Sequence, residues 1–308
     1  MPPGCRCNPM SDPVSAPSDA ALGSYWQVRI PRWLWVAFVA FIGPALYLAG
    51  DPTPAGVAFA FTTIGIAIGH AVFALGWRAA SAFLAICLAV TFSLENLSVL
   101  TGLPFGHYHF VVGASLPHVG SIPVIVGFLY FGMGYPSWVV AGLLLDRAGL
   151  QSDNRFRLIA IPLVASFAMV QWDVVMDPPS STLGGAWIWH DGGGYFGVPL
   201  TNYVGWYLTV WVFFQAFAYW QFSQKNNRHS QTVDRKSLFW LIPVFLHLGA
   251  GLCQVVPLFT TADADIVDPA GQHWRAHDLR ETTVIVMTAT MLSTSVLALL
   301  RWLDGLRH

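Results

Sequence analysis

The stretch FSLENLSVLTGLPFGHYHF, residues 92–110, decides how this chain is read. An apolar run of membrane-spanning character ends here in a turn dense in glycine, proline, aromatic rings and imidazole, with one carboxylate, Glu95, inside the run. Glu95 is the only acidic residue between Asp51 and Asp146. An ionisable side chain within a span costs about 2.5–3.5 kcal/mol on insertion scales, so its presence there points to function.

Working outward, 55% of the 308 residues are hydrophobic and 10% are charged. The apolar residues fall in runs of about 20, the length that crosses a ~30 Å hydrocarbon core. This predicts an all-α polytopic membrane protein, a bundle of about eight transmembrane helices (seven to eight). Spans are expected at 34–49, 55–75, 79–99, 123–144, 158–176, 201–222, 238–258 and 282–300. Residues 1–30, rich in Pro, Ser and Ala and without a signal-like apolar core, read as a disordered cytoplasmic tail; residues 31–308 read as one transmembrane helical domain. Cys87 and Cys253 stand singly in apolar runs and Cys5 and Cys7 in the tail, so neither a disulfide framework nor a zinc site is suggested.

Basic residues set the orientation. With the N-terminus in the cytoplasm, thirteen of the 15 Lys and Arg fall inside and only Arg275 and Arg280 outside. Both termini are then cytoplasmic, in a multi-pass protein of the cell membrane. The two connections without Lys or Arg, 101–122 and 177–200, lie on the opposite face. The second follows Trp172-Asp173 and Asp177-Pro178-Pro179. Asp173 and Asp177 are one helical turn apart on one face, and the two prolines are expected to end that helix at Asp177. Glu95 sits roughly 7 Å inside the outer end of its span at ~1.5 Å per residue. The three carboxyls therefore share a depth and converge if the third and fifth spans pack together.

These residues carry a resemblance. Leu94-Glu95-Asn96 with Thr101-Gly102-Leu103-Pro104-Phe105-Gly106-His107-Tyr108 forms one motif. Trp172-Asp173, Asp177-Pro178, Trp189, Gly194-Tyr195-Phe196-Gly197-Val198-Pro199 and Asn202-Tyr203-Val204-Gly205-Trp206 form the other. Together they resemble the membrane-bound carotenoid biosynthesis protein family, which includes carotenoid 1',2'-hydratases of the bisanhydrobacterioruberin and γ-carotene hydratase types. The resemblance covers roughly residues 92–206 well and the other spans mainly through hydropathy. It implies addition of water to the terminal C1',C2' double bond of an acyclic (psi) carotenoid end, with no cofactor. The implied partners are a carotenoid substrate within the bilayer, membrane lipids and other carotenoid enzymes. Nucleic acid is not among them.

The chemistry of the residues agrees. Hydrating a trisubstituted alkene needs an acid to protonate the less substituted carbon, stabilisation of the tertiary cation, and one controlled water. A carboxyl withdrawn from water holds its proton and can act as a general acid, while a wetter carboxylate orients or deprotonates water. Aromatic faces stabilise cations without bonding to them. The candidate catalytic set is Glu95, Asp173, Asp177 and His107. Asp173 or Glu95 is favoured as the acid. The candidate substrate-binding set is Tyr108, Trp172, Trp187, Trp189, Tyr195, Phe196, Asn202 and Trp206. No metal site is expected: His107 and His109 read as interfacial polar groups, and His70 and His247 as intramembrane histidines satisfied by neighbouring helices. The segment 260–281, with Asp263, Asp265, Asp268 and Asp278, reads as solvated surface.

Other classes fit less well. An iron-dependent desaturase or hydroxylase needs several histidines at ligand spacing. A prenyltransferase needs aspartates holding magnesium with basic residues close by, whereas Asp173 and Asp177 stand on the face poor in Lys and Arg. A proton-coupled transporter or lipophile-binding membrane protein is the alternative reading. It would place polar groups along a path to both sides.

Overall fold

The computed structural model describes residues 54–146, 155–224 and 237–306. The expected tail and the span at 34–49 lie outside the described residues. The expected spans from 55–75 onward each fall on helix, because in hydrocarbon a chain must satisfy its backbone hydrogen bonds within the segment. These are α1 (Pro54–Leu75), α2 (Trp77–Thr101), α3 (Val124–Asp146), α4 (Arg155–Pro178) and α5 (Leu200–Ser223). A 3-10 turn at Leu238–Trp240 then leads into α6 (Leu241–Leu252) and α7 (Val255–Thr260). The last span is α8 (Ala276–Met287) and α9 (Ser293–Gly305), joined by a π turn at Thr288–Leu292. Among the described residues five helical segments are long and apolar enough to cross a membrane: Trp77–Thr101, Val124–Leu145, Arg155–Leu183, Leu238–Thr260 and Ala276–Gly305.

Central in the bundle, α3 packs on α1, α2, α4, α6 and α9. Its apolar window is 72% buried, against 28% for α2, and α3 is accordingly apolar all round. On α2 the buried residues Ala80, Phe83, Cys87, Thr91, Glu95 and Ser98 recur at three- and four-residue intervals. That spacing is one helical stripe. Near its start Phe83 lies in an aromatic core, stacked on Phe217 at 4.2 Å with Phe131, Trp138 and Phe214 around it. Following the same stripe toward the other end carries Glu95 inward. The outer faces of α2, α4, α5 and α9 expose Leu97, Leu100, Phe156, Ile159, Phe167, Val204, Leu208, Leu297 and Leu300, as surfaces against lipid do.

Two short loops complete the architecture around Glu95. Strand β1 (Tyr108–Phe110) pairs antiparallel with β4 (Trp187–Trp189), Tyr108 opposite Trp189 and Phe110 opposite Trp187. Side chains alternate across a ribbon, so these four aromatics share one face. They pack with Phe105, Val198, Tyr203 and Trp206. Between β1 and α3, β2 (His118–Val119) pairs with β3 (Ile122–Pro123). Asn96 anchors that hairpin, donating to the Val119 carbonyl (3.0 Å) and accepting from Ser121 N (2.8 Å). A third hairpin, β5 (Asp265–Val267) with β6 (His273–Arg275), precedes α8.

Three expectations are corrected. The helix does not end at Asp177: it runs through Pro178 into a π turn at Pro179–Leu183. A wider turn relieves the clash of the proline ring with the preceding carbonyl, and Ser181 Oγ donates to the Asp177 carbonyl at 2.8 Å. Nor do the third and fifth spans, α2 and α4, meet chiefly on one another; each packs on both α3 and α5. Finally, 260–281 is not simply solvated surface. Asp268 is buried, accepting from Ala270 N, Gln272 N and Trp274 Nε1 at 2.8–3.0 Å. The Trp274 ring lies 5.3 Å from Phe196, which ties this hairpin to the loop after β4.

Candidate active site

Glu95, Asp173 and Asp177 are all buried, with exposures of 4%, 5% and 1%, and lie within electrostatic reach of one another. Asp177, although it precedes two prolines, is thus withdrawn from solvent with the other two carboxyls. Every hydrogen bond that these side chains accept among the described residues comes from an uncharged donor. Tyr108 Oη, on β1, donates to Glu95 Oε2. Tyr130 Oη, on α3, donates to Oε1 at 2.5 Å. Asn202, in the first turn of α5, bridges the aspartates: its Nδ2 donates to Asp173 Oδ2 at 2.8 Å and to Asp177 Oδ2 at 2.7 Å. The indoles of Trp187 and Trp189 both donate to Asp177 Oδ1, at 2.7 and 3.2 Å. Asp173 Oδ1 accepts no hydrogen bond among the described residues.

Local structure explains how these groups arrive. α2 stops at Gly102, whose φ of 75° is the left-handed cap that glycine adopts freely. The turn beyond is held by Ser98, whose Oγ accepts from Phe105 N and donates to the Gly106 carbonyl, both at 3.1 Å. Thr201 Oγ1 on α5 donates to the Phe105 carbonyl at 2.9 Å. Gly205 lets α5 approach this turn closely, for a methyl there would meet Pro104 O at 2.7 Å and Phe105 Cδ1 at 2.8 Å. The approach sets Asn202, three residues earlier, opposite the two aspartates. Burial, reinforced by Glu95, holds the Tyr108 phenol well above its ordinary value, so it stays a donor.

Aromatic rings wall the cluster. Trp206 stacks on Tyr130 at 4.4 Å and Tyr108 lies 4.9 Å from Trp189. Beyond Trp187 and Trp189 a cleft of about 390 Å³ is lined by Ser181, Thr182, Gly184, Gly197 and Asp268 among others. It places water-accessible space against the indoles that hold Asp177.

Of the expected catalytic residues, then, the fold gathers Glu95, Asp173 and Asp177 but not His107. That imidazole is exposed and bonds Asp191 at 2.8 Å; His109 faces His190 at 2.7 Å on the same rim. Among the expected substrate-binding residues, Tyr108, Trp187, Trp189 and Asn202 are donors to the carboxyls, and Trp206 backs Tyr130. Tyr195 contacts Tyr203 and Phe196. Trp172 turns away, packing with Val175, Ala250, Met287 and Met291. His70 and His247 are satisfied as expected, the first by Tyr135 and the Phe239 carbonyl, the second by Ser295 and the Ala168 carbonyl. Tyr130 is not marked by pattern, Tyr203 enters only as part of a motif, and Asp268 only as one of the acids expected on solvated surface. The usable signal for Tyr130 was a phenol inside an apolar span, whose hydroxyl needs a partner there.

Fold and site together define a multi-pass helical membrane protein with a buried, aromatic-walled carboxyl cluster. The sequence matches the family model described as carotenoid biosynthesis protein over residues 55–263, and the chain belongs to that family. A curated relative, bisanhydrobacterioruberin hydratase of Haloarcula japonica, is 26% identical over 178 residues, covering 56% of this chain and 58% of that protein. The chain thus matches little more than half the length of this relative. No solved structure matches it.

Proposed function

We propose that this protein adds water across the terminal C1',C2' double bond of an acyclic carotenoid end, giving a tertiary alcohol without a cofactor. The observation that carries the reading is the set of three buried carboxyls held, among the described residues, by phenol, indole and amide donors, beside stacked aromatic rings. In this reading Asp173, which accepts one hydrogen bond among the described residues where Glu95 accepts two and Asp177 three, is the acid. Its proton forms the new C–H bond at C2', the π electron pair moves into that bond, and the positive charge is left on the dimethyl-bearing C1'. Aromatic faces stabilise such a cation. Water then forms the C1'–O bond and gives its extra proton back to the carboxyl cluster, so that acid and base are restored. Glu95 and Asp177, with their donors already in place, hold the electrostatic frame for this exchange and need no reorganisation during it.

The distant hydratase relative supports the reaction class, and the charge asymmetry supports a site on the non-cytoplasmic side of the cell membrane. Expression in a lycopene-producing host tests it. The product should gain the mass of one water, take ¹⁸O from labelled water and form without air, reductant or added metal. Label from molecular oxygen, or loss of activity in membranes treated with chelator, would overturn the assignment.

A further inference from the structure

Each hydration consumes one water and no net proton, because the proton given to C2' is matched by the one that the attacking water releases. The carboxyl cluster must therefore be resupplied with water at every turnover, and the hydrocarbon of a bilayer holds almost none. Glu95, Asp173 and Asp177 are nevertheless all but closed to solvent. A route from the aqueous surface has to reach them.

The cleft of about 390 Å³ beside β4 comes within one side chain of the cluster. Three residues of its lining bond Asp177 directly: Trp187 and Trp189 through Nε1 to Oδ1, at 2.7 and 3.2 Å, and Ser181 through Oγ to the carbonyl, at 2.8 Å. Trp189 is buried in the aromatic cluster, whereas Trp187 is half-buried at its edge and is the ring with space to turn. Val267 and Asp268 of the β5–β6 hairpin form the opposite wall. That hairpin carries the exposed Arg275–Asp263 ion pair, so the mouth faces water and not lipid. Gly197 keeps the walls apart, for a methyl there would meet Thr182 Oγ1 at 3.1 Å and Asp268 Oδ2 at 3.2 Å, both in the lining. Apolar cavities stay dry, but a space edged by hydroxyls and a carboxylate holds water.

We propose that this cleft is the port through which water reaches the carboxyl cluster, closed at its inner end by the indole of Trp187. This rests on the hydratase reading. When Trp187 Nε1 leaves Asp177 Oδ1, Trp189 stays bonded to the same oxygen and an incoming water takes the vacated place as donor. No buried acceptor is left unpaired by the exchange. The carotenoid then needs to enter only from the bilayer, and its two reactants reach the acids from different sides.

The test places a cysteine on each wall of the cleft, Leu183→Cys and Val267→Cys, in the full-length protein in membranes, and modifies it with methanethiosulfonates of increasing size. Native Cys87 and Cys253 are buried, and rates are taken relative to wild type treated in the same way. Val111→Cys, exposed beyond β1 and away from the lining, is the control and should keep its rate. Both wall cysteines should react. The maximal rate of lycopene hydration should then fall with adduct size, by about 10-fold or more for a benzyl group, a barrier increment of about 1.4 kcal/mol. The half-saturating lycopene concentration should not change, and a thiol reductant that removes the adduct should restore the rate. Wall cysteines that do not react, bulky adducts that leave the rate unchanged, or an equal loss in Val111→Cys overturn the port. So does a raised half-saturating concentration at an unchanged maximal rate, which makes the cleft a carotenoid site. In each of these cases hydration by wild type leaves the hydratase reading standing. A wild-type protein that does not hydrate lycopene defeats that reading, and the port with it.

Discussion

Replacing Asp173 by asparagine removes one carboxyl proton and changes little else. The amide has the same volume and keeps an oxygen for Asn202 Nδ2, now 2.8 Å from Asp173 Oδ2. Asp177 retains Trp187 at 2.7 Å and Asn202 at 2.7 Å. Exchanging one neutral acceptor for another costs at most about 1 kcal/mol of hydrogen bonding, so the variant should fold and remain in the membrane. Loss of a general acid, by contrast, lowers rates by about 10²–10⁴-fold, or roughly 3–5 kcal/mol of barrier at ~1.4 kcal/mol per decade. Conversion of lycopene by membranes with matched amounts of each protein, followed by chromatography and mass, reads this directly. Asp278→Asn, at an exposed position on α8, is the control and should be near neutral. If Asp173→Asn retains activity within roughly threefold of wild type, Asp173 is not the acid and proton donation must be sought elsewhere in the cluster.

Other outcomes follow from the same geometry. Gly205→Val should lower thermal stability by about 1–3 kcal/mol through overpacking and depress activity by moving Asn202, whereas Gly65→Ala, with nothing within 4 Å of the added methyl, should do neither; equal melting temperatures would refute the close approach. Asp263 is held below its ordinary 3.8 by the His277 N–H and then by Arg275. A lowered carboxyl stabilises the fold above the unfolded value, so this contribution is present above about pH 3.8 and lost as pH falls through the lower folded value. Hydrogen exchange in 263–277 should accelerate only in that acid range, and Asp263→Asn should abolish the dependence. For topology, a reporter active only in the cytoplasm should work when fused after Lys225 and fail after Gly113; the reverse would move the site to the cytoplasmic face.

Much of this protein can be read without coordinates, because apolar length and helical period report on each segment separately. Runs of about 20 apolar residues place the spans, since a backbone in hydrocarbon has no other way to satisfy its hydrogen bonds. Glu95 shares the stripe of Phe83 and Cys87, so its inward direction is also periodic information. The carboxyls at 95, 173 and 177 stand out as charges in apolar surroundings. What pattern does not hold is pairing. The partners of Glu95 lie 13 and 35 positions away and those of Asp177 up to 25, and each pair depends on how two or three elements cross. The β1–β4 register puts Tyr108 opposite Trp189, the close contact at Gly205 presents Asn202 to both aspartates, and the π turn after Asp177 carries the chain past two prolines. Tyr108, Trp187 and Trp189, named for substrate, also donate to the acids, His107 lies on the rim, and Asp268 is buried. Those outcomes were decided by packing between distant segments, where register and helix approach, not local composition, determine which polar atoms meet.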